Sequence, residues 1–180
     1  MALSYVLWAM SEFNRQNFAI CGKSVQSAVR NVILPLMGVR YLDQQGFRLK
    51  YTVTTHCLTI SRGRRTNYFY IFGGKDESSY MLIQGITLAG VMLDEVALMP
   101  RSFVEQALAR CSVPGSRYWF NCNPEGPQHW FYEEWVKDEK QVKNRLHLHF
   151  LLDDNPSLAP EIKARYEAMY TGVFRERYIL

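Results

Sequence analysis

The chain has 180 residues, enough for one domain with a sizeable core, and 48% apolar against 21% charged residues is a globular rather than a disordered balance. A net charge of +4 permits contact with a polyanion without requiring one. Cys21, Cys57, Cys111 and Cys122 are scattered with no C-x-x-C pair, which argues against a zinc site or disulfide framework and for reduced thiols in a cytosolic compartment.

No apolar stretch reaches membrane-spanning length, and residues 1–10 lack the basic start and small-residue cleavage site of a secretion signal. Residues 2–13 carry apolar side chains on most faces (Leu3, Val6, Leu7, Trp8, Met10), the pattern of a largely buried helix, yet no capping residue precedes them. Residues 17–21 form a short apolar strand. Gly22-Lys23-Ser24 then turns the chain into a helix over 25–36, with Val25, Val29, Val32 and Ile33 at helical spacing. Residues 47–53 and 57–62 alternate apolar and polar side chains and are rich in β-branched residues, so they predict antiparallel strands. The basic turn Arg62-Gly63-Arg64-Arg65 leads to an aromatic strand over 67–72, which Gly73-Gly74 ends. A short helix is expected over 78–84, a compact strand over 90–93, and a helix opening at Pro100. Residues 117–122 predict a strand, 129–136 a helix and 145–151 a strand. The last helix spans 157–170 with the stripe Leu158, Ile162, Tyr166 and Met169, and Gly172 caps it. Strands alternating with helices predict a mostly parallel sheet covered on both faces, with an antiparallel excursion between 47 and 72.

The chemistry gathers at strand ends. Gly90-Val91-Met92-Leu93 has the continuous apolar character of a parallel strand buried on both faces, and Asp94-Glu95 follows at once. Ligands of open α/β sheets bind beyond the carboxyl ends of the strands, where Asp94 would suit Mg²⁺ and Glu95 would activate an attacking water. The plainer alternative is a solvated turn. Asn121-Cys122-Asn123-Pro124 ends a second apolar strand, whose polar tip would reach the same crevice if the two strands are neighbours; otherwise it is a common Asn-Pro turn. Gly22-Lys23-Ser24 ends like a phosphate-binding G-x-x-x-x-G-K-[ST] loop, but Asn17 stands at the first glycine position and Phe18-Ala19-Ile20-Cys21 reads as a strand. Lys23 is therefore not favoured as a phosphate ligand. Asp153-Asp154-Asn155-Pro156 reads first as a turn into the last helix, with a metal pair as the alternative. His56, His129, His147 and His149 lack ligand spacing, and His147 and His149 share one strand face as packing residues.

In their order and spacing, Tyr5-Val-Leu-Trp-Ala-Met10, Gln16-Asn-Phe-Ala-Ile-Cys-Gly-Lys23, Phe72-Gly-Gly-Lys-Asp-Glu77 and Ile83-Gln-Gly-Ile-Thr-Leu-Ala-Gly90 resemble segments of the PBSX-like family of phage terminase large subunits. So do Leu93-Asp-Glu-Val-Ala-Leu-Met-Pro100, Phe120-Asn-Cys-Asn-Pro124 and Asp154-Asn-Pro-Ser157. The resemblance implies a P-loop NTPase-like fold of the additional-strand, RecA-like class, with ATP and Mg²⁺ as cofactors and double-stranded DNA packaged into proheads. It also implies Asp94 as the Mg²⁺ ligand of a Walker B pair, Glu95 as catalytic base, and Asn121, Cys122 and Asn123 in the motif coupling hydrolysis to DNA movement. Portal protein, small terminase subunit and further copies of the chain are the implied partners, at the prohead portal in the host cytoplasm. In the family a glycine-rich loop with its lysine (Walker A) precedes the helix matching Tyr5 to Met10, and a nuclease domain follows. The expectation is therefore an incomplete motor domain over 1–151 and a linker helix over 152–180, with little ATPase activity alone. The competing readings are a helicase-like ATPase, from Asp94-Glu95-Val96-Ala97, a non-enzymatic DNA- or partner-binding remnant, and a two-metal nuclease built on Asp94, Asp153 and Asp154.

Overall fold

A computed structural model describes residues 1–123, 125–137 and 144–169. The chain divides into two compact units, Met1–Cys122 and Asn123–Leu180.

In the first unit, helix α1 (Ala2–Glu12) leads to strand β1 (Asn17–Gly22). The helix expected over 25–36 forms in three pieces: α2 (Val25–Ala28), a π turn (Val29–Ile33) and α3 (Leu34–Met37). Pro35 explains the break, because proline inside a helix has no N–H to donate and its ring collides with the carbonyl one turn back; a wider π turn accommodates it. After α4 (Arg40–Gln44) come β2 (Arg48–Thr52), β3 (Cys57–Arg62) and β4 (Arg65–Gly73). A 3-10 helix (Glu77–Ile83) precedes β5 (Gly90–Leu93), then α5 (Arg101–Ala109) and β6 (Arg117–Phe120).

The six strands form one sheet in the order β2-β3-β4-β1-β5-β6. β1 is parallel to both β4 and β5, β5 is parallel to β6, and only β2-β3-β4 run antiparallel, as the alternating patterns predict. Every residue of β5 is buried, and so are five of the six in β1, so helices must cover both faces there. β4 instead alternates: Asn67, Phe69 and Ile71 are buried while Tyr68, Tyr70 and Phe72 are half-buried, the signature of one covered face. On the covered face Tyr5, Val6, Ala9 and Met10 of α1 pack with Phe18, Ile20, Phe69 and Met92. Tyr5 and Phe18 meet edge to face, with ring centroids 6.0 Å apart.

Asn67 is the polar exception in this core. It is fully buried, accepts a hydrogen bond from Gln16 N (3.0 Å) and donates to the carbonyls of Ala9 (3.1 Å) and Phe13 (3.0 Å). One amide thus ties the end of α1 to the entry into β1, serving backbone groups at a helix end that the helix itself cannot fully satisfy.

In the second unit a π turn (Tyr132–Val136) takes most of the expected helix over 129–136, and a 3-10 turn (Leu152–Asp154) precedes α6 (Pro160–Met169). The expected cap Gly172 lies outside the described residues. The strand expected over 145–151 does not form. Its alternating apolar side chains Leu146, Leu148 and Phe150 are exposed, and so are His147 and His149, whose pattern suggests packing. Alternation makes a strand only where a neighbouring strand takes the backbone bonds, and none pairs with this segment among the described residues. No described helix is long and apolar enough to cross a membrane.

The packing makes two expectations measurable. Asn67→Ala deprives three backbone groups of a buried partner and should lower unfolding free energy by about 3 kcal/mol in urea denaturation. None of the four cysteines is in a disulfide; Cys21, Cys57 and Cys111 are buried and Cys122 is exposed. Burial pushes the Cys111 thiol up to about 12 and raises Cys21 and Cys57 above the usual thiol value. At pH 8 only about one Cys111 in ten thousand is then a thiolate, so a thiol reagent should titrate Cys122 alone in the native chain and the other three only after denaturation.

Candidate active site

The parallel strands end on the same side, and β1 and β5 are the point where the chain changes direction along the sheet. That is where open α/β sheets place their ligands. Asp94 follows β5 directly, its N–H donating to Cys21 O of β1 (2.8 Å). β6 lies beside β5, as the expected shared crevice requires, and brings Asn121 against the acidic pair.

The contact is two-ended. Asn121 Nδ2 donates to Asp94 Oδ1 (2.8 Å), while Asn121 Oδ1 accepts from Glu95 N (2.6 Å). The Asn121 carbonyl also accepts from Val96 N (2.9 Å), so the strand β6 tip holds three consecutive residues of the loop after β5. These bonds sustain an unfavourable backbone. Glu95 has φ 56° and ψ 51°, the left-handed region, which costs a side-chain-bearing residue about 1–2 kcal/mol. Asp94 and Glu95 are both half-buried, neither sealed from solvent nor loose on the surface.

Gly22-Lys23-Ser24 serves the same crevice structurally. Gly22 and Gly73 are partners across β1 and β4, and both lie under the start of α2. A Cβ on Gly22 would stand 2.9 Å from Ala28 Cβ, and one on Gly73 2.9 Å from Val25 N. Ser24 caps α2, its hydroxyl accepting from Ser27 N (3.0 Å). Lys23 Nζ donates to Lys75 O (3.0 Å) and Leu98 O (2.7 Å), tying the loop after β4 to the loop after Glu95. Phe18-Ala19-Ile20-Cys21, in the place of a phosphate loop, is the buried middle of β1.

The remaining candidates have local roles. Asp76 caps the 3-10 helix, and hydrogen bonds from Ser78 and Ser79 hold its carboxyl below the usual value. In the second unit Asp154 Oδ2 accepts from Leu151 N (2.7 Å), and Asp153 Oδ1 lies 3.3 Å from Lys163 Nζ. Both therefore serve the turn into α6, as their spacing suggests. Asn123 is the first residue of that unit. Sequence reasoning missed the pair of hydrogen bonds made by the Asn121 amide and the bridge made by Lys23. The first was discoverable only as an amide at the tip of the neighbouring strand, and the second carries no pattern at all.

The strained turn and its tie should respond oppositely to substitution. Asn121→Ala removes two side-chain bonds and should destabilise the chain by about 1–2 kcal/mol. Glu95→Gly relieves the left-handed residue and should stabilise it by about 1 kcal/mol. Chemical denaturation of the two variants reads both signs; equal signs would contradict the strained-turn description.

No family model matches the chain, and no curated protein does. Among solved structures, the large terminase of a thermophilic bacteriophage is 58% identical with a TM-score of 0.92, over 100% of this chain and 44% of that one. The same phage's large terminase in complex with ADP gives 55% identity and a TM-score of 0.92, over 99% and 43%. The large terminase ATPase domain of Thermus phage P74-26 shares the fold at 18% identity, with a TM-score of 0.67 over 98% of this chain and 80% of that one. The chain spans less than half the length of the thermophilic phage's terminase. With 58% identity along its whole length it belongs to the large-terminase family of bacteriophages, and its fold is that of their P-loop NTPase-like ATPase domain.

Proposed function

We propose that these residues form the water-activating and metal-binding half of an ATP-hydrolysing motor that packages double-stranded DNA. The observation that carries the proposal is the acidic pair Asp94-Glu95 at the carboxyl end of β5, tied by the Asn121 amide of the neighbouring strand. Glu95 takes the role of general base, its side chain presented by a rigid left-handed turn. Asp94 takes the metal. Its Oδ1 accepts from Asn121, which leaves Oδ2 as a hard oxygen ligand, and among the described residues no three ligating side chains cluster. That set fits Mg²⁺, which in phosphoryl-transfer sites takes one or two carboxylates and fills its shell with water and phosphate oxygens. When bound, the ion would neutralise charge developing on the phosphates.

Asn121, Cys122 and Asn123 would form the coupling motif. Asn121 touches both acidic residues, so a change at Asp94 or Glu95 would be felt at once by the β6 tip. The thermophilic phage's terminase has been solved with ADP and with ATP-gamma-S, which supports a nucleotide as the ligand of this crevice. Double-stranded DNA, a portal protein, a small terminase subunit and further copies of the chain complete the proposed motor, working at the prohead portal in the host cytoplasm. Residues 152–180 would lead toward the nuclease domain.

The 180 residues contain no G-x-x-x-x-G-K-[ST] loop, and the geometry gives Gly22, Lys23 and Ser24 structural work. Phosphoryl transfer depends on positioning and charge neutralisation, so the acidic pair alone supplies little catalysis. The 180-residue chain should hydrolyse ATP at the uncatalysed rate. Mg²⁺-dependent turnover that disappears in Glu95→Ala would refute that expectation. In a full-length terminase carrying these residues, Glu95→Gln should lower kcat at least about a hundredfold with little change in KM, the pattern of a lost catalytic base. Steady-state phosphate release measures both parameters; unchanged kcat would remove Glu95 from the role.

A further inference from the structure

The basic turn noted in the sequence acquires neighbours in the fold. Arg62 and Arg65 are partners across β3 and β4, and Arg48 of β2 sits opposite Ser61, one residue before Arg62. Arg64 is in the turn between β3 and β4. Arg15 joins them from the far side, its N–H donating to Thr66 O (2.7 Å), with Arg15 itself held at φ 57°. Five arginines that are distant in sequence thus meet at one end of the sheet, spread over β2, β3, β4 and the entry to β1. At a strand spacing of about 4.8 Å the row is about 14 Å wide. All five are exposed, and none makes an ion pair among the described residues.

Two of the five are also braced. The Arg62 guanidinium lies 4.8 Å above the Phe47 ring, and Arg65 donates to the last carbonyls of α1, Met10 O (3.1 Å) and Ser11 O. Bracing removes rotamer freedom that a ligand would otherwise have to freeze. The acids nearest to these arginines in sequence are Glu12 at the end of α1 and Asp43 in α4, two negative charges against five positive ones. This end of the sheet is opposite the carboxyl ends of β1 and β5, so the arginines lie apart from Asp94 and Glu95.

We infer that this arginine row is a docking surface for the phosphate backbone of double-stranded DNA, separate from the nucleotide crevice. The choice of duplex rests on the packaging role proposed above; the presence of a polyanion site rests on the charges and their placement. A row about 14 Å wide can follow a few successive phosphates of one strand, and guanidinium groups bind phosphate with two parallel N–H donors. No base-reading geometry is involved, so binding should be indifferent to sequence, as a motor that passes every sequence requires.

Fluorescence anisotropy with a short blunt-ended duplex tests this on the 180-residue chain as potassium chloride is raised. The variant combines Arg48→Gln, Arg64→Gln and Arg15→Asn, asparagine being tolerant of the left-handed backbone at that position. Arg62 and Arg65 are kept because they brace the fold. A control removes equal charge elsewhere in the same unit through Arg30→Gln, Lys75→Gln and Arg101→Gln, all exposed. The test variant should bind at least tenfold more weakly at low salt and lose about two to three from the slope of log affinity against log salt, with the control close to the parent. Equal losses in test variant and control would overturn the site, since only net charge would then matter. Parent-like binding by the test variant would overturn it too, and a parent chain that does not retain duplex at low salt would do the same. None of these outcomes touches the packaging reading, which the kcat of Glu95→Gln in the full-length protein decides separately.

Discussion

A parallel strand covered by helices on both faces cannot place a polar side chain along its length without burying it, so its chemistry must stand at its ends. β5 is fully buried from Gly90 to Leu93, and the next two residues are carboxylates. β1 obeys the same rule: its buried run ends in Gly22, and Lys23 is the first side chain able to carry charge. Because β1, β5 and β6 are parallel neighbours, their ends coincide, and Lys23, Asp94 and Asn121 gather at one rim of the sheet. The site is in this sense a by-product of the core. Residues that cannot be buried collect where the burial stops.

What distinguishes the rim from an ordinary set of loops is how tightly the turn after β5 is held. A turn carrying a side-chain residue in the left-handed region would relax if it were free. Here Asn121 bonds the Glu95 amide from one side, and Lys23 bonds the Leu98 carbonyl from the other. The two ties come from different strands, and the Lys23 tie cannot shift without moving the buried strand β1. A catalytic base gains from such rigidity, because misplacement of the order of an ångström is enough to lose about a hundredfold in rate. In the proposed role of Glu95 the strain would be a cost accepted for placement, sustained by neighbours that over-determine the backbone.

Much of this was legible in the sequence, and where it was not, the reason is physical. The buried strands and the acidic pair could be read because a strand covered on both faces must be apolar throughout and can turn charged only where it ends. The antiparallel excursion was readable from alternation at Leu49, Leu58 and Ile60. The same alternation at Leu146, Leu148 and Phe150 misled, since a period of two reports a face and says nothing of the partner strand that would make it real. Pro35 interrupts a helix that the valine spacing made look continuous. Gly22-Lys23-Ser24 shows the limit of motif reading: the three residues match the end of a phosphate loop, yet close packing on Ala28, a bridge to two carbonyls and a helix cap account for each in turn. The Asn121 clamp was not legible, because it exists only once β5 and β6 are neighbours.

The separation of charges in the fold bears on how such a motor would work. The carboxylates stand at the carboxyl ends of the parallel strands and the arginine row at the opposite end, the two related through the nine-residue strand β4 and its neighbour β1. A nine-residue strand is about 26 Å long, whereas electrostatic interactions in physiological salt fade over about 8 Å. A bound duplex at the arginine end would therefore neither repel nucleotide from the crevice nor compete for its metal, although both ligands are polyanions. The same distance rules out direct electrostatic signalling between them. Communication between hydrolysis and DNA would have to be mechanical, carried by elements too well packed to deform gradually. The Asn121 amide is suited to begin it, since it bonds both acidic residues while its own backbone belongs to the tip of β6.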